Sequence, residues 1–337
     1  LRPPEKPFNV LAQQILLELL RKRRSSRARI QRFLRVLKPF SSIRGREIDA
    51  VLAHMAEMEM IERDGDMLMA GKGAEQVFGR SNWKDLFSVI SGGGEFRAIT
   101  PDGEVVGKLD ARFVAARGKT SFSLGGKSWT CIGSDESHDL VVVVPGEGER
   151  SEVFWTGGQA GFSPVVCHSV EEILSRGGSI LPLPAKERDL LASIISEFPA
   201  LRAGSFHVLE KPGPKGPEVL ILTFKGRRFN GTLTALLRAE AARKVTILYD
   251  DFSITVKGVA KEGSAAAVAG MIEQIRKKGM QRAANVLKIP GQDVWKFAPA
   301  LPGTSLREMA IHDYYRLPGF FRDLAATELV TNPHQDP

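Results

Sequence analysis

Residues 45–72 read GREIDAVLAHMAEMEMIERDGDMLMAGK, and the change of period inside this stretch decides the fold. Ile48, Val51, Leu52 and Met55 recur at the three- and four-residue spacing of one helix face. From Met60 onward two short apolar runs lie either side of Asp64-Gly65, a pair common in tight hairpin turns. The spacing predicts a helix that runs into a β-hairpin.

Working outward toward the N-terminus, PFNVLAQQILLELLRKRR (7–24) predicts a helix. Val10, Leu11, Ile15 and Leu19 form its apolar face, widened by Leu16, Leu17 and Leu20. Asn9 is placed to cap it, with Pro7 just outside. RSSRARIQRFLRVLKPF (24–40) predicts a second helix through Ile30, Phe33, Leu34 and Leu37, with Arg29, Arg32, Arg35 and Lys38 on the opposite side. Three helices followed by a hairpin describe a winged helix, over residues 5–80.

That unit concentrates charge. Residues 21–46 hold eleven Lys or Arg and no Asp or Glu, while the formal net charge of the chain is +8, so the remainder carries −3. A local cluster of this kind predicts one polyanion-binding surface rather than a generally basic protein. In helix-turn-helix proteins the later helix usually enters the major groove. Here that helix carries Glu47, Asp49, Glu57 and Glu59, which repel phosphates. The contact is therefore expected through the first inter-helix turn and the second helix, at Arg21, Lys22, Arg23, Arg24, Arg27, Arg29 and Arg32.

At 337 residues the chain has room for two or three domains. Apolar residues make up 43% and charged residues 26%, ordinary for a soluble globular chain. Cys131 and Cys167 form neither a disulfide framework nor a metal spacing, which predicts a reducing, cytoplasmic setting. No apolar run approaches the roughly 18–20 residues of a membrane span, so no membrane partner is expected. The sequence starts at Leu1 rather than Met and without signal-peptide character, which suggests a piece of a longer polypeptide.

Residues 81–160 read differently. EFRAITPDGEVVGKLD, RFVAA, TSFSLGGKSWTCIG, DLVVVVPG and EVFWTG are short strand-like runs divided by Gly, Pro and Asp turns, which predicts a small β-barrel or curled sheet. Gly-Gly-Lys-Ser at 125–128 mimics the end of a phosphate-binding loop. The full motif needs a glycine at position 121, where Ser121 stands, and a following helix, where SWTCI alternates like a strand. The chain is therefore not expected to hydrolyse ATP by itself.

Residues 161–330 predict an α+β domain. SVEEILSRGG and PAKERDLLASIISEFPAL are amphipathic helices, SFHVLEK and EVLILTF are strands, and a long helix covers about 227–243. Strands at 245–249 and 252–257 flank Asp250-Asp251, and helices follow to a frayed tail. Lys225, Arg227 and Arg228 sit where a strand gives way to a helix, whose N-terminus suits a phosphate. The fold class is α+β: a winged helix, a small β-barrel, and an α/β-type layer with C-terminal helices.

The order of segments PFNVLAQQILLEL, GRSNWKDLFSVI, VVGKLDARFV, FSLGGKSW, VVVVPG and FWTG resembles the C-terminal half of Lhr-type (large helicase-related) superfamily 2 helicases. VLILTFKGRRFNGTLTALLRAE and TILYDDFSITVKG extend the likeness, which spans roughly residues 5–260. The resemblance implies a winged helix and a barrel-containing domain that follow two motor domains. It implies partners as well: single-stranded or tailed DNA, or an RNA:DNA hybrid, and the motor domains in cis or in trans. The expected activity is 3′-to-5′ unwinding in DNA repair by the parent protein. ATP and magnesium would belong to the motors, with no cofactor in this chain. It also implies a base-stacking tryptophan, best matched by Trp155, while Trp129 reads as core.

No catalytic or metal-binding set emerges. The six histidines are scattered, and Asp250-Asp251 reads as a structural turn. Two other classes remain: a protein-docking module using the same basic face, and a winged-helix DNA glycosylase with Gln13, Gln14 and Asp110 as candidates.

Overall fold

The computed structural model describes residues 3–331 except 79–82, 90–94, 111–120, 125, 136–139, 147–160, 178–181, 199, 214–215, 242–244, 259–263 and 293. The N-terminal unit consists of α1 (Phe8–Lys22), β1 (Ser25–Ser26), α2 (Arg27–Val36), α3 (Gly45–Glu57), β2 (Ile61–Asp64), β3 (Met67–Ala70) and α4 (Lys72–Phe78). Its three strands are antiparallel in the order β1-β3-β2. The strand β1 is missing from the sequence reading. Ser25 and Ser26 pair with Leu68 and Met67, and the Ser26 hydroxyl accepts from Arg29 N at the start of α2. Two residues are too few to show a period of two.

The predicted apolar faces meet in this unit. Leu11, Ile15, Leu16, Leu19, Ile30, Leu34, Ile48, Val51 and Met55 are fully buried together. The same core takes in Phe297, Ala300, Leu301 and Met309 from near the other end of the chain. Phe297 packs against Phe78 with ring centroids 4.8 Å apart. Asn9 does not cap α1, which starts at Phe8 after Pro7. Asn9 is buried, and its side-chain oxygen accepts a hydrogen bond from Phe297 N at 2.8 Å. It therefore fastens the distant segment to α1.

The middle unit is one curled sheet of β4 (Glu95–Ile99), β5 (Val105–Asp110), β6 (Ser121–Leu124), β7 (Lys127–Asp135) and β8 (Leu140–Pro145). Strand order is β5-β4-β8-β7-β6, with β4 and β8 parallel and the other pairs antiparallel. Register shifts at Ala98/Ile99 and Cys131/Gly133 add the bend that curls it. The two edges face each other as in a half-barrel: a Cβ on Gly107 of β5 would stand 3.1 Å from the Leu124 side chain of β6. Phe96, Leu109, Phe122, Trp129, Val141 and Val143 fill the concave side.

The C-terminal unit begins with α5 (Pro164–Arg176) and α6 (Ala185–Ser196). A five-stranded sheet follows, made of β9 (Ser205–Lys211), β10 (Glu218–Leu222), β11 (Thr246–Tyr249), β12 (Ser253–Lys257) and β13 (Glu328–Thr331). Its order is β11-β12-β10-β9-β13, with only β13 and β9 parallel among the described pairs. One face is covered by α7 (Arg227–Glu240), α8 (Ser264–Val286) and α10 (Leu317–Ala326). Phe206, Val219, Ile221, Leu233, Leu237, Val268, Ile272, Phe320 and Leu324 interlock there. Short α9 (Gly303–Met309) leads through a π-helical turn, Ala310–Tyr314, into α10.

Candidate nucleic-acid interface

All eleven cations of the 21–46 segment are solvent-exposed. The fold keeps them outside because Leu16, Leu19, Ile30 and Leu34 point the opposite faces of α1 and α2 inward. Arg23 closes α1 with a φ of 62°, turning the chain into β1. Arg24 lies over β3, its guanidinium 4.0 Å from Met69 Sδ. Arg29 and Arg32 continue the surface along α2.

Two of the eleven are neutralised internally. Arg21 pairs with the buried Glu18 at 2.6 Å, and Arg27 pairs with Asp49 of α3 at 2.5 Å. Gln31 also donates to Asp49. The Arg27 hydrogen bond holds the Asp49 carboxyl below the usual carboxylate range and raises Arg27 in turn. The remaining nine make no ion pair among the described residues.

Glu47 and Asp49 of α3 therefore have structural work rather than a phosphate-facing role. Glu47 accepts from Arg44 N at the helix start and from the Lys6 ammonium at 2.7 Å. Burial pushes the Glu47 carboxyl up, but Lys6 and the Arg44 N–H outweigh that and leave it lowered. Lys6 also bridges to Glu308 of α9.

At the second basic site the helix end is already occupied. Gly226 takes a φ of 85°, a conformation costly for any residue with a Cβ, and turns the chain into α7. Its N–H donates to the Asp251 carbonyl, and Arg227 N donates to the Asp251 carboxylate at 3.1 Å. Asp251 thus takes the place expected for a phosphate, which leaves side chains, not the helix end, to meet a ligand. Asp250 accepts from the N–H groups of Phe252 and Ser253, a turn as expected. Asn230 is fully buried, accepts from the Thr223 hydroxyl at 2.6 Å and donates to the Asp250 carbonyl at 2.9 Å. The Gly-Arg-Arg-Phe-Asn run is therefore a structural knot joining β10, α7 and the β11–β12 turn.

Lys225 is half-buried, Arg227 lies over the Tyr249 ring at 5.5 Å, and Arg228 reaches solvent. Burial and then Arg316 lower the Arg228 guanidinium, with Asp313 opposing them. Tyr249 and Arg316 at this site escape a sequence reading, because Arg316 lies 88 positions from Arg228 and no local pattern links them.

Trp155 lies outside the described residues. Trp129 is core, as expected, with its indole N–H donating to the Leu124 carbonyl at 3.1 Å. Gly126 sits with a φ of 77° between paired Leu124 and Lys127, and Lys127 and Ser128 continue into a strand rather than a helix. Gln13 is buried and donates to the Leu86 carbonyl, and Gln14 donates weakly to Gln13. Asp110 ends β5. No group of three or more His, Cys, Asp or Glu that could hold a metal exists among the described residues. Among them also, no helix is long and apolar enough to cross a membrane.

No protein-family model matches the chain, and no curated protein matches it in sequence. Among solved structures it is similar to a DUF1998 helicase, MrfA, bound to DNA. Sequence identity is 9% and the TM-score is 0.20, over 80% of this chain and 35% of that one. The chain thus spans about a third of that helicase, and a likeness this distant fixes neither fold nor function.

Proposed function

We propose that this chain is a nucleic-acid-binding module and the C-terminal accessory part of an Lhr-like ATP-dependent DNA helicase. The observation that carries the reading is the exposed cluster of Lys22, Arg23, Arg24, Arg29, Arg32 and Arg35 around the end of α1 and along α2, none of which forms an ion pair among the described residues. A cluster of six such cations exceeds what solubility requires, and released counterions would make its binding to a phosphate backbone strongly salt-dependent. Arg23, Arg24, Arg29 and Arg32 grip the tracking strand or the tail of a tailed duplex. Arg21 and Arg27, tied to carboxylates, mainly order that surface. Lys225, Arg227 and Arg228 supply a second contact, and Trp155 a stacking ring.

Motor domains would provide ATP and magnesium chemistry, with 3′-to-5′ translocation and a role in repair as the finer form of the proposal. A module holding the strand lets each motor step become strand separation. A docking surface for those motors also has support: α6 buries none of its residues, and Leu190 and Ile194 are exposed there.

Fluorescence anisotropy with labelled single strands, 3′-tailed duplex and blunt duplex, across a salt series, tests the reading. Expected is binding that prefers single-stranded regions and weakens steeply with salt. Absence of binding at low salt would assign the basic face to a protein partner.

A further inference from the structure

The cations around the start of α7 continue into a second, sequence-distant element. Tyr249, at the end of β11, is 38% exposed and carries Arg227 over its ring. A Cβ on Gly231 would stand 3.2 Å from that ring, so the Tyr249 side chain lies along α7. One residue on, the Thr232 hydroxyl meets the Arg228 carbonyl at 3.1 Å and the Tyr315 carbonyl at 3.3 Å. That contact seats the π-helical turn on α7 and brings Tyr314 and Arg316 to the same surface. Tyr314 is 41% exposed and stands edge-on to Tyr315 and Trp295, with centroids 4.8 and 6.1 Å away.

Second to burial, Arg316 stands close enough to Arg228 to lower its guanidinium. Asp313 is the carboxylate that faces both, and it already accepts from Glu5 N. Burial raises the Asp313 carboxyl. Asp251 faces the α7 backbone instead. Arg316 holds this place with a φ of 52°, in the left-handed region that residues with a Cβ seldom adopt. Arg228, Arg316, Tyr249 and Tyr314 are all exposed, so two guanidinium groups and two part-exposed rings meet solvent together beside the Asp313 carboxylate.

We infer that Tyr249, Tyr314, Arg228 and Arg316 form a contact for a single nucleic-acid strand, with the rings stacking on bases and the arginine pair holding a phosphate. The inference rests on the nucleic-acid reading above and gives base stacking a location apart from Trp155. A single strand is the occupant because bases inside a duplex offer no free face to the rings, and an acidic peptide leaves the rings unused.

The test compares an oligothymidylate of about 20 nucleotides, an abasic strand of equal length and a blunt duplex. The unmutated chain should prefer oligothymidylate to the abasic strand. Tyr314→Ala should weaken oligothymidylate binding roughly tenfold while leaving the abasic strand and the duplex unchanged. Tyr314→Phe should bind like the unmutated chain. Arg316→Asn, which tolerates the left-handed backbone, should weaken both single strands. Equal binding of abasic and base-bearing strands by the unmutated chain overturns the contact, as does a Tyr314→Ala variant with unaltered affinity. Failure of the unmutated chain to bind any strand sinks the nucleic-acid reading itself, whereas binding indifferent to Tyr314 and Arg316 sinks this contact alone.

Discussion

The helix starts at Arg27 and Arg227 are both rich in arginine, yet the fold treats them in opposite ways. Around α2 the carboxylates lie behind the surface: Glu18 and Asp49 take one arginine each, and the other cations form no ion pair among the described residues. Around α7 the basic residues are woven in, with Asp251 against the Arg227 N–H, Arg227 on Tyr249, and Arg228 sharing Asp313 with Arg316. Counting cations in a sequence gives an upper bound. Tertiary pairing decides how many are left for a ligand.

Replacing the buried knot at the second site should have the largest effect. Asn230→Ala leaves the Asp250 carbonyl without its donor and the Thr223 hydroxyl with a weaker partner. The expected loss is about 2–4 kcal/mol, read from the urea midpoint at constant slope. Loss below about 1 kcal/mol would mean that the motif is not a knot, and the contrast between the two sites would weaken.

The same operation at the first site should do the reverse. Arg23, Arg24, Arg29 and Arg32 changed together to Ala should alter stability by only about 0.5 kcal/mol, since none forms an ion pair among the described residues. Single-strand binding should lose about three units from its salt slope, near 0.7 for each phosphate contact. An unchanged slope would move the interface to another face.

How much of this was legible in advance follows the range of the interactions. The helices around Ile15, Ile30 and Val51, the hairpin about Gly65 and the α+β class rest on local periodicity, which the sequence displays directly. The pairing of Arg27 with Asp49 and of Arg227 N with Asp251 joins residues 22 and 24 positions apart, where no pattern exists to read. The seating of Phe297 in the N-terminal core spans 288 positions from Asn9. Asn9 shows the ambiguity well: a polar residue near a helix start looks like a cap, and only the distant Phe297 N–H reveals its other use. The Arg316 site depends on a π-helical turn and a left-handed residue, neither of which has a strong sequence signal.

Asp49→Asn should have the smallest effect, and it tests whether an internal carboxylate withholds a cation from the ligand. The amide keeps an oxygen for the Gln31 donor but loses the charge that binds Arg27. Arg27 then joins the free set, so the single-strand salt slope should steepen by about 0.7. Stability should respond with a definite sign. Arg27 holds the folded-state carboxyl of Asp49 below its unfolded value of about 3.9, so its contribution is present above that pH and lost as pH falls through the lowered folded value. The substituted chain should therefore be slightly less stable at neutral pH, and the gap should close as pH falls through the lowered folded value. Urea midpoints across that range check the stability half, and anisotropy at neutral pH checks the binding half. A gap that persists undiminished in acid would locate the cost in packing rather than in the ion pair. A steeper salt slope without a stability change would mean that Asp49 serves chiefly to restrain Arg27.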